Sequence, residues 1–92
     1  MKVIDEIAAI LDIDSVELER ESLKAYLERK LRALEADRFQ IASKHGVTSV
    51  EDMKSSFSKG KLKEEQAWED FFRLDHLEAE IELVNKALKE VK

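Results

Sequence analysis

The chain has 92 residues, of which 40% are charged and 43% apolar, with two Gly, no Pro and no Cys. That length is one small domain. The composition excludes a disulfide scaffold, a Cys-bound zinc site, a thiol nucleophile and, with so few turn residues, a many-stranded fold. Sixteen bases against 21 acids leave a net charge of −5, an adverse balance for nonspecific duplex binding unless the positive charge is local.

The first predicted element is a short helix over about residues 3–11. Val3, Ile4, Ile7, Ala8, Ile10 and Leu11 form a wide apolar stripe at helical spacing. A short link follows at 12–14. Asp14 then reads as an N-cap, with Glu17 as its capping-box partner.

The second helix is expected over about 15–44, roughly 45 Å of rod at 1.5 Å per residue. Leu27, Leu34 and Ile41 recur at seven, with Leu23 and Leu31 beside them. Lys24, Arg38 and His45 interrupt that seam. Arg38 should snorkel or pair with Asp70, Asp75 or Glu78 of a facing helix. Glu28 and Arg32 stand at i,i+4 on the outer face. Gly46 is a natural stop, because glycine enters the left-handed region freely.

Thr48 and Glu51 have capping-box spacing. They predict a short helix over about 49–57 that buries Val50, Met53 and Phe57 and caps the closed end of a hairpin. Ser55, Ser56, Ser58 and Gly60 break the pattern.

The last helix is expected over about 63–91. Leu74, Leu77, Ile81, Val84, Leu88 and Val91 are spaced 3, 4, 3, 4, 3 without a gap. Such a stripe must face another helix. Glu82 and Lys86 form an i,i+4 pair on its polar side. Trp68, Phe71, Phe72 and Phe39 are expected to pack beneath the short helix.

The fold class that follows is all-α: an antiparallel hairpin of long helices with a short capping helix and a short N-terminal helix, bundle-like. A bare two-helix hairpin buries too little surface for its size. The expectation is therefore a homodimer whose interface uses Leu74, Leu77, Ile81, Val84, Leu88 and Val91 together with Ile4, Ile7 and Leu11. In the alternative, a compact monomer, residues 3–11 fold onto the hairpin as a third helix. Whether that segment serves the domain's own core or a partner's groove stays open.

Candidate chemistry is sparse. A di-metal bundle needs Glu-x-x-His on two helices, but Arg73 precedes His76 by three and Ala42 precedes His45 by three. The many carboxylates of the last helix read as a solvated face, and no phosphate loop or nucleophile elbow occurs. No catalytic residue, metal or cofactor is expected, and the protein is expected not to be an enzyme. Lys54, Lys59, Lys61 and Lys63 cluster around the turn, with Phe57 among them. They are candidate nucleic-acid contacts, and otherwise aids to solubility. The acidic start, Met-Lys-Val-Ile-Asp-Glu, is unlike a secretory leader, so the expected location is the cytoplasm, without membrane attachment. Few amides and sulfurs beside many Lys and Glu resemble the bias of proteins from hot environments.

The run Lys44-His45-Gly46-Val47-Thr48-Ser49-Val50-Glu51-Asp52-Met53, followed by Phe57, Gly60, Leu62 and Trp68, resembles a loose group of small, mostly uncharacterised prokaryotic helical proteins common in archaea. In these a long helix ends in Lys-Tyr-Gly-Met, then come Ser-x-Glu-x-Phe, Gly-x-Leu and a Trp-rich start to a second long helix. The resemblance covers about residues 30–85, with His45 in place of the usual Tyr and Met53 in place of the usual Phe. Some members are similar to partners encoded beside small toxins. The resemblance therefore implies a helical hairpin and an antitoxin-like role with a small toxin as partner, and it carries over no catalytic residue. The leading functional expectation is a non-enzymatic, self-associating protein–protein interaction module. The alternative is a nucleic-acid-associated regulator using the turn at 54–63.

Overall fold

A computed structural model describes residues 2–60 and 65–91. Four helices follow one another: α1 (Val3–Leu11), α2 (Ser15–His45), α3 (Val50–Ser58) and α4 (Glu65–Glu90). There is no strand among the described residues. The expected start of the last helix, at 63, lies outside them.

Each boundary has a local cause. α1 ends in a Schellman turn: Asp12 is left-handed (φ 57°), its N–H donates to the Ala9 carbonyl, and the Ile13 N–H donates to the Ala8 carbonyl at 3.0 Å. Asp14 then caps α2, its carboxylate accepting the Glu17 N–H at 3.2 Å. The Glu17 side chain does not complete a capping box. It turns forward to the Arg20 guanidinium, where a full charge on each partner makes the stronger bond. α2 ends in a second Schellman turn, with Gly46 at φ 63° and the Val47 N–H donating to the Ala42 carbonyl at 2.9 Å. The buried Val47 supplies the apolar contact that accompanies this motif.

The cap of α3 lies one residue beyond the expected one. Ser49, not Thr48, is the N-cap, and its hydroxyl accepts the Asp52 N–H at 3.1 Å. Asp52, not Glu51, reaches back and accepts the Thr48 N–H at 2.9 Å. Two adjacent hydroxyl residues offer two equivalent caps, and the burial of Val47 settles the phase.

α2 and α4 lie antiparallel. Arg38 meets Glu78 at 3.3 Å and His45 meets Asp70 at 2.7 Å, so the residue number falls along one helix as it rises along the other. The core between them is Leu34, Ile41, Ala42, Ala67, Leu74, Leu77 and Val84, with Val47 and Met53 added from the connection and α3. Leu27, Leu31, Ile81 and Leu88 pack against it half-buried. α3 packs on α4 and drives Met53 to complete burial.

Two aromatic expectations change. Phe57 stacks on Trp68 at 4.0 Å, and Phe71 meets both rings edge-on. Phe39 takes no part and is 70% exposed, whereas Phe72 meets Phe71 edge-on at 5.5 Å on the outside of the cluster and stays 63% exposed. Arg38 holds the seam position between Leu34 and Ile41, which turns the next residue some 100° away from the core. Among the described residues the ion pairs along single helices are Glu17–Arg20, Arg20–Glu21 and His76–Glu80, and the expected Glu28–Arg32 and Glu82–Lys86 are not formed. Exposed pairs of that kind contribute little and form or part freely.

The assembly is a rod of 60 × 19 × 19 Å with a radius of gyration of 19.1 Å. A compact chain of this length would have about 12 Å. The excess arises because most of the molecule is only two helices thick. None of the described helices is long and apolar enough to cross a membrane.

Candidate interaction surfaces

The stripe expected as an interface is occupied within the chain. Leu74, Leu77 and Val84 are buried against α2, and Ile81 and Leu88 are half-buried beside them. Val91 follows the end of α4 half-buried. The neighbouring helix that the spacing demands is therefore α2 of the same molecule, and on one protomer this stripe offers a partner little. Of the N-terminal residues named with it, Ile4 is half-buried, Ile7 is 43% exposed and Leu11 is 56% exposed.

The free apolar surface lies at the other end of the rod. Val3, Ile7, Ile10, Leu11, Ile13, Val16, Leu23 and Tyr26 are all exposed, and all belong to the first 26 residues. The cause is a mismatch of length. α2 has 31 residues and α4 has 26, about 46 Å against 39 Å. The pairs 38–78 and 45–70 set Glu90, the last residue of α4, opposite residue 25 or 26. The inward seam of α2 nevertheless continues in line through Leu27, Leu23, Arg20 and Val16. α1 leans on the flank of this stretch and buries Ala8. A shallow depression between the two helices is lined by Lys2, Ile4, Asp5, Ser15, Val16 and Glu19. The seam spacing was visible in the sequence, but Val16, Leu23 and Tyr26 gave no sign of being uncovered, since that depends on where α4 stops.

Two polar joints hold the paired region. At the first, Glu78 on α4 accepts from the Arg38 guanidinium at 3.3 Å and from the Val50 N–H, the first residue of α3, at 3.0 Å. Arg38 also donates to the Thr48 carbonyl at 2.9 Å. One carboxylate thus ties α2, α3 and α4 together and sits at the positive end of α3, where a negative charge is favoured. At the second, Asp70 lies 2.7 Å from His45 Nε2 and 3.0 Å from Lys44 Nζ. The hydrogen bond from His45 first, then that from Lys44, holds the Asp70 carboxyl below its ordinary value against the opposing effect of burial. His45 and Lys44 are the last two residues of α2, where cations suit the helix dipole. Both joints are structural, since each of their charged side chains is engaged with another part of the chain.

Neither joint resembles a catalytic or metal centre. Among the described residues, no group of three or more His, Cys, Asp or Glu converges to hold a metal ion. His76 is on the solvent face of α4, with Glu80 at 2.8 Å. A depression along α4, lined by Glu78, Ile81, Glu82, Asn85, Lys86 and Lys89, is a shallow surface groove. Lys54 and Lys59 are exposed on α3 and at its C-terminal end. Lys61 and Lys63 lie outside the described residues.

A family description, the Uncharacterized protein MJ0235 family, matches residues 1–92, the whole chain. The chain belongs to that family. It is similar to the uncharacterized protein MJ0235 of Methanocaldococcus jannaschii, with 37% identity over 70 residues, which cover 76% of this chain and 85% of the relative. The expected kinship with small uncharacterised archaeal proteins is met in that relative. No solved structure matches.

Proposed function

We propose that this member of the MJ0235 family is a non-enzymatic helical interaction module. It self-associates and binds a second protein by laying apolar helix surface against it, in an antitoxin-like role toward a small protein partner in the cytoplasm. The observation that carries the reading is the crowding of eight large, exposed apolar side chains into the first 26 residues. An isolated exposed Leu is ordinary, but a cluster of several hundred Å² is where soluble proteins meet partners. The polar joints support it too, because they lock the α2–α4 pair and leave the N-terminal end as the adaptable part. A short apolar helix such as α1 is marginal by itself and gains from a second surface. In the self-associated form, helices of two chains build a bundle-like core.

The test is co-expression with the small proteins encoded beside it, followed by calorimetry on the purified pair. Binding with a negative heat-capacity change is expected, as apolar burial requires. Ile7→Asp with Leu11→Asp should abolish it while the α2–α4 pair stays folded. Unchanged binding by that variant, or binding without a heat-capacity change, refutes the reading.

A further inference from the structure

We propose that the uncovered start of α2 is filled by the same stretch of a second copy, in antiparallel pairing about a two-fold axis near Glu19 and Arg20. This rests on the interaction reading above and names one occupant and its geometry. The first argument is length. α4 stops opposite residue 25 or 26, so residues 15–24 of α2 have a seam that α4 does not reach, with α1 beside it. A second α2 laid antiparallel there sets Val16 opposite the second copy's Leu23 and Leu23 opposite its Val16. Its first residue, Ser15, then falls opposite residue 24, just beyond the end of α4. The incoming helix continues the line of α4 without overlapping it, and in both copies at once, which a two-fold interface requires.

The second argument is charge. The paired stretch, residues 15–24, carries three acids (Glu17, Glu19, Glu21) and two bases (Arg20, Lys24). It is nearly neutral in a chain of net charge −5, and the pairing sets each Arg20 opposite the second copy's Glu19, so opposite charges meet at the two-fold axis. α4 is the opposite case. From Glu65 to Glu90 it carries eight acids and three bases, and pairing through its outer face would bring like charges together. Its exposed Phe72 and Leu83 therefore stand on the less suitable side. The third argument is surface. Val16 and Leu23 are 69% and 49% exposed, and the apolar residues of α1 flank them. The two-fold brings the Val16 and Leu23 side chains of both copies into one contact.

Sedimentation equilibrium on the full chain at about 100 μM should give twice the 10.7 kDa of one chain. Val16→Glu with Leu23→Glu should weaken the dimer by at least about 100-fold, as for the loss of two central anchors, with helicity and unfolding of the α2–α4 pair retained. Phe72→Glu with Leu83→Glu should leave the mass unchanged. The chain has no cysteine, so Glu19→Cys reports position without disturbing the seam: a bifunctional thiol reagent should join it to itself far faster than Lys86→Cys. That readout also serves if the double glutamate variant fails to fold. A chain that is monomeric at this concentration overturns the inference, as does a dimer joined through Lys86→Cys instead. A monomer that still binds a co-encoded protein keeps the interaction reading and removes only this one.

Discussion

Glu78 offers the sharpest test of how the helices are held in register. Its carboxylate is 3.0 Å from the Val50 N–H and 3.3 Å from the Arg38 Nε, with the Arg38 and Glu78 side chains 36% and 31% exposed. Glu78→Gln keeps an oxygen for both donors and loses only the charge. The ion pair is partly screened at this exposure and Arg38 retains the Thr48 carbonyl, so the cost should be about 0.5–1 kcal/mol. Glu78→Ala removes both bonds, leaving the first N–H of α3 unsatisfied and a half-buried guanidinium without its carboxylate. One orphaned amide and one lost charged bond together should cost about 2–3 kcal/mol. For a domain of this size each kcal/mol moves Tm by about 4–8 °C, so the two variants should separate by about 4–20 °C. Urea titrations give the free energies, and hydrogen exchange at the Val50 amide localises the effect. That amide should exchange faster in Glu78→Ala than in Glu78→Gln, while the amides in the middle of α4 are unchanged apart from the global loss of stability. If the alanine costs no more than the glutamine, or Val50 is equally protected in both, the three-way joint does not hold α3.

Further outcomes follow from single residues. Because the folded-state pKa of Asp70 is lowered by His45 and Lys44, its stabilisation is fully present above the ordinary value of 3.8 and is lost as pH falls through the lower folded value. Asp70→Asn should therefore lower stability at neutral pH and flatten the acid limb of the stability profile, measured by urea unfolding between about pH 2 and 6. An Asn variant with the same acid limb refutes the assignment. Gly46 sits at φ 63° with nothing within 4 Å of where a Cβ would lie, so Gly46→Ala should cost about 1–2 kcal/mol of backbone strain alone. Gly46→Asn should cost less than Ala in the same thermal melts, since asparagine tolerates this conformation. Leu74 is fully buried and Leu83 is 64% exposed. Leu74→Ala should cost about 2–5 kcal/mol, whereas Leu83→Ala should stay within about 0.5 kcal/mol by chemical denaturation. Equal effects would mean that the two faces of α4 have been misassigned.

Much of the architecture was legible because it rests on interactions a few residues long. The α1 boundaries, the Asp14 cap and the Gly46 stop depend on backbone groups within four or five positions of each other. The 3–4 spacing on α4 identifies a buried face from the chain alone, and Arg38 announced an acid across the seam. The errors came where two local answers were nearly equal or where a distant residue decided. Thr48 and Ser49 cap equally well in isolation, and the choice falls with the burial of Val47 and the arrival of Glu78 from 28 residues away. Phe39 was expected inside for its size, although the period already gave the inward position to Arg38. The surface with the greatest claim to function was missed in part for the same reason: Val16 and Leu23 continue the α2 seam in the sequence, and only the end of α4 leaves them bare.

The Asp14 cap, the Gly46 stop and the inward stripes of α2 and α4 were settled by the sequence alone, because a residue's neighbours at three and four positions are fixed by the 3.6-residue turn. Which helix covers which face, and how far along, was decided only by tertiary structure. Registry between two rods depends on a few long-range contacts, here Glu78 with Arg38 and Asp70 with His45. Those contacts set where α4 ends against α2, and so which apolar residues remain for another molecule.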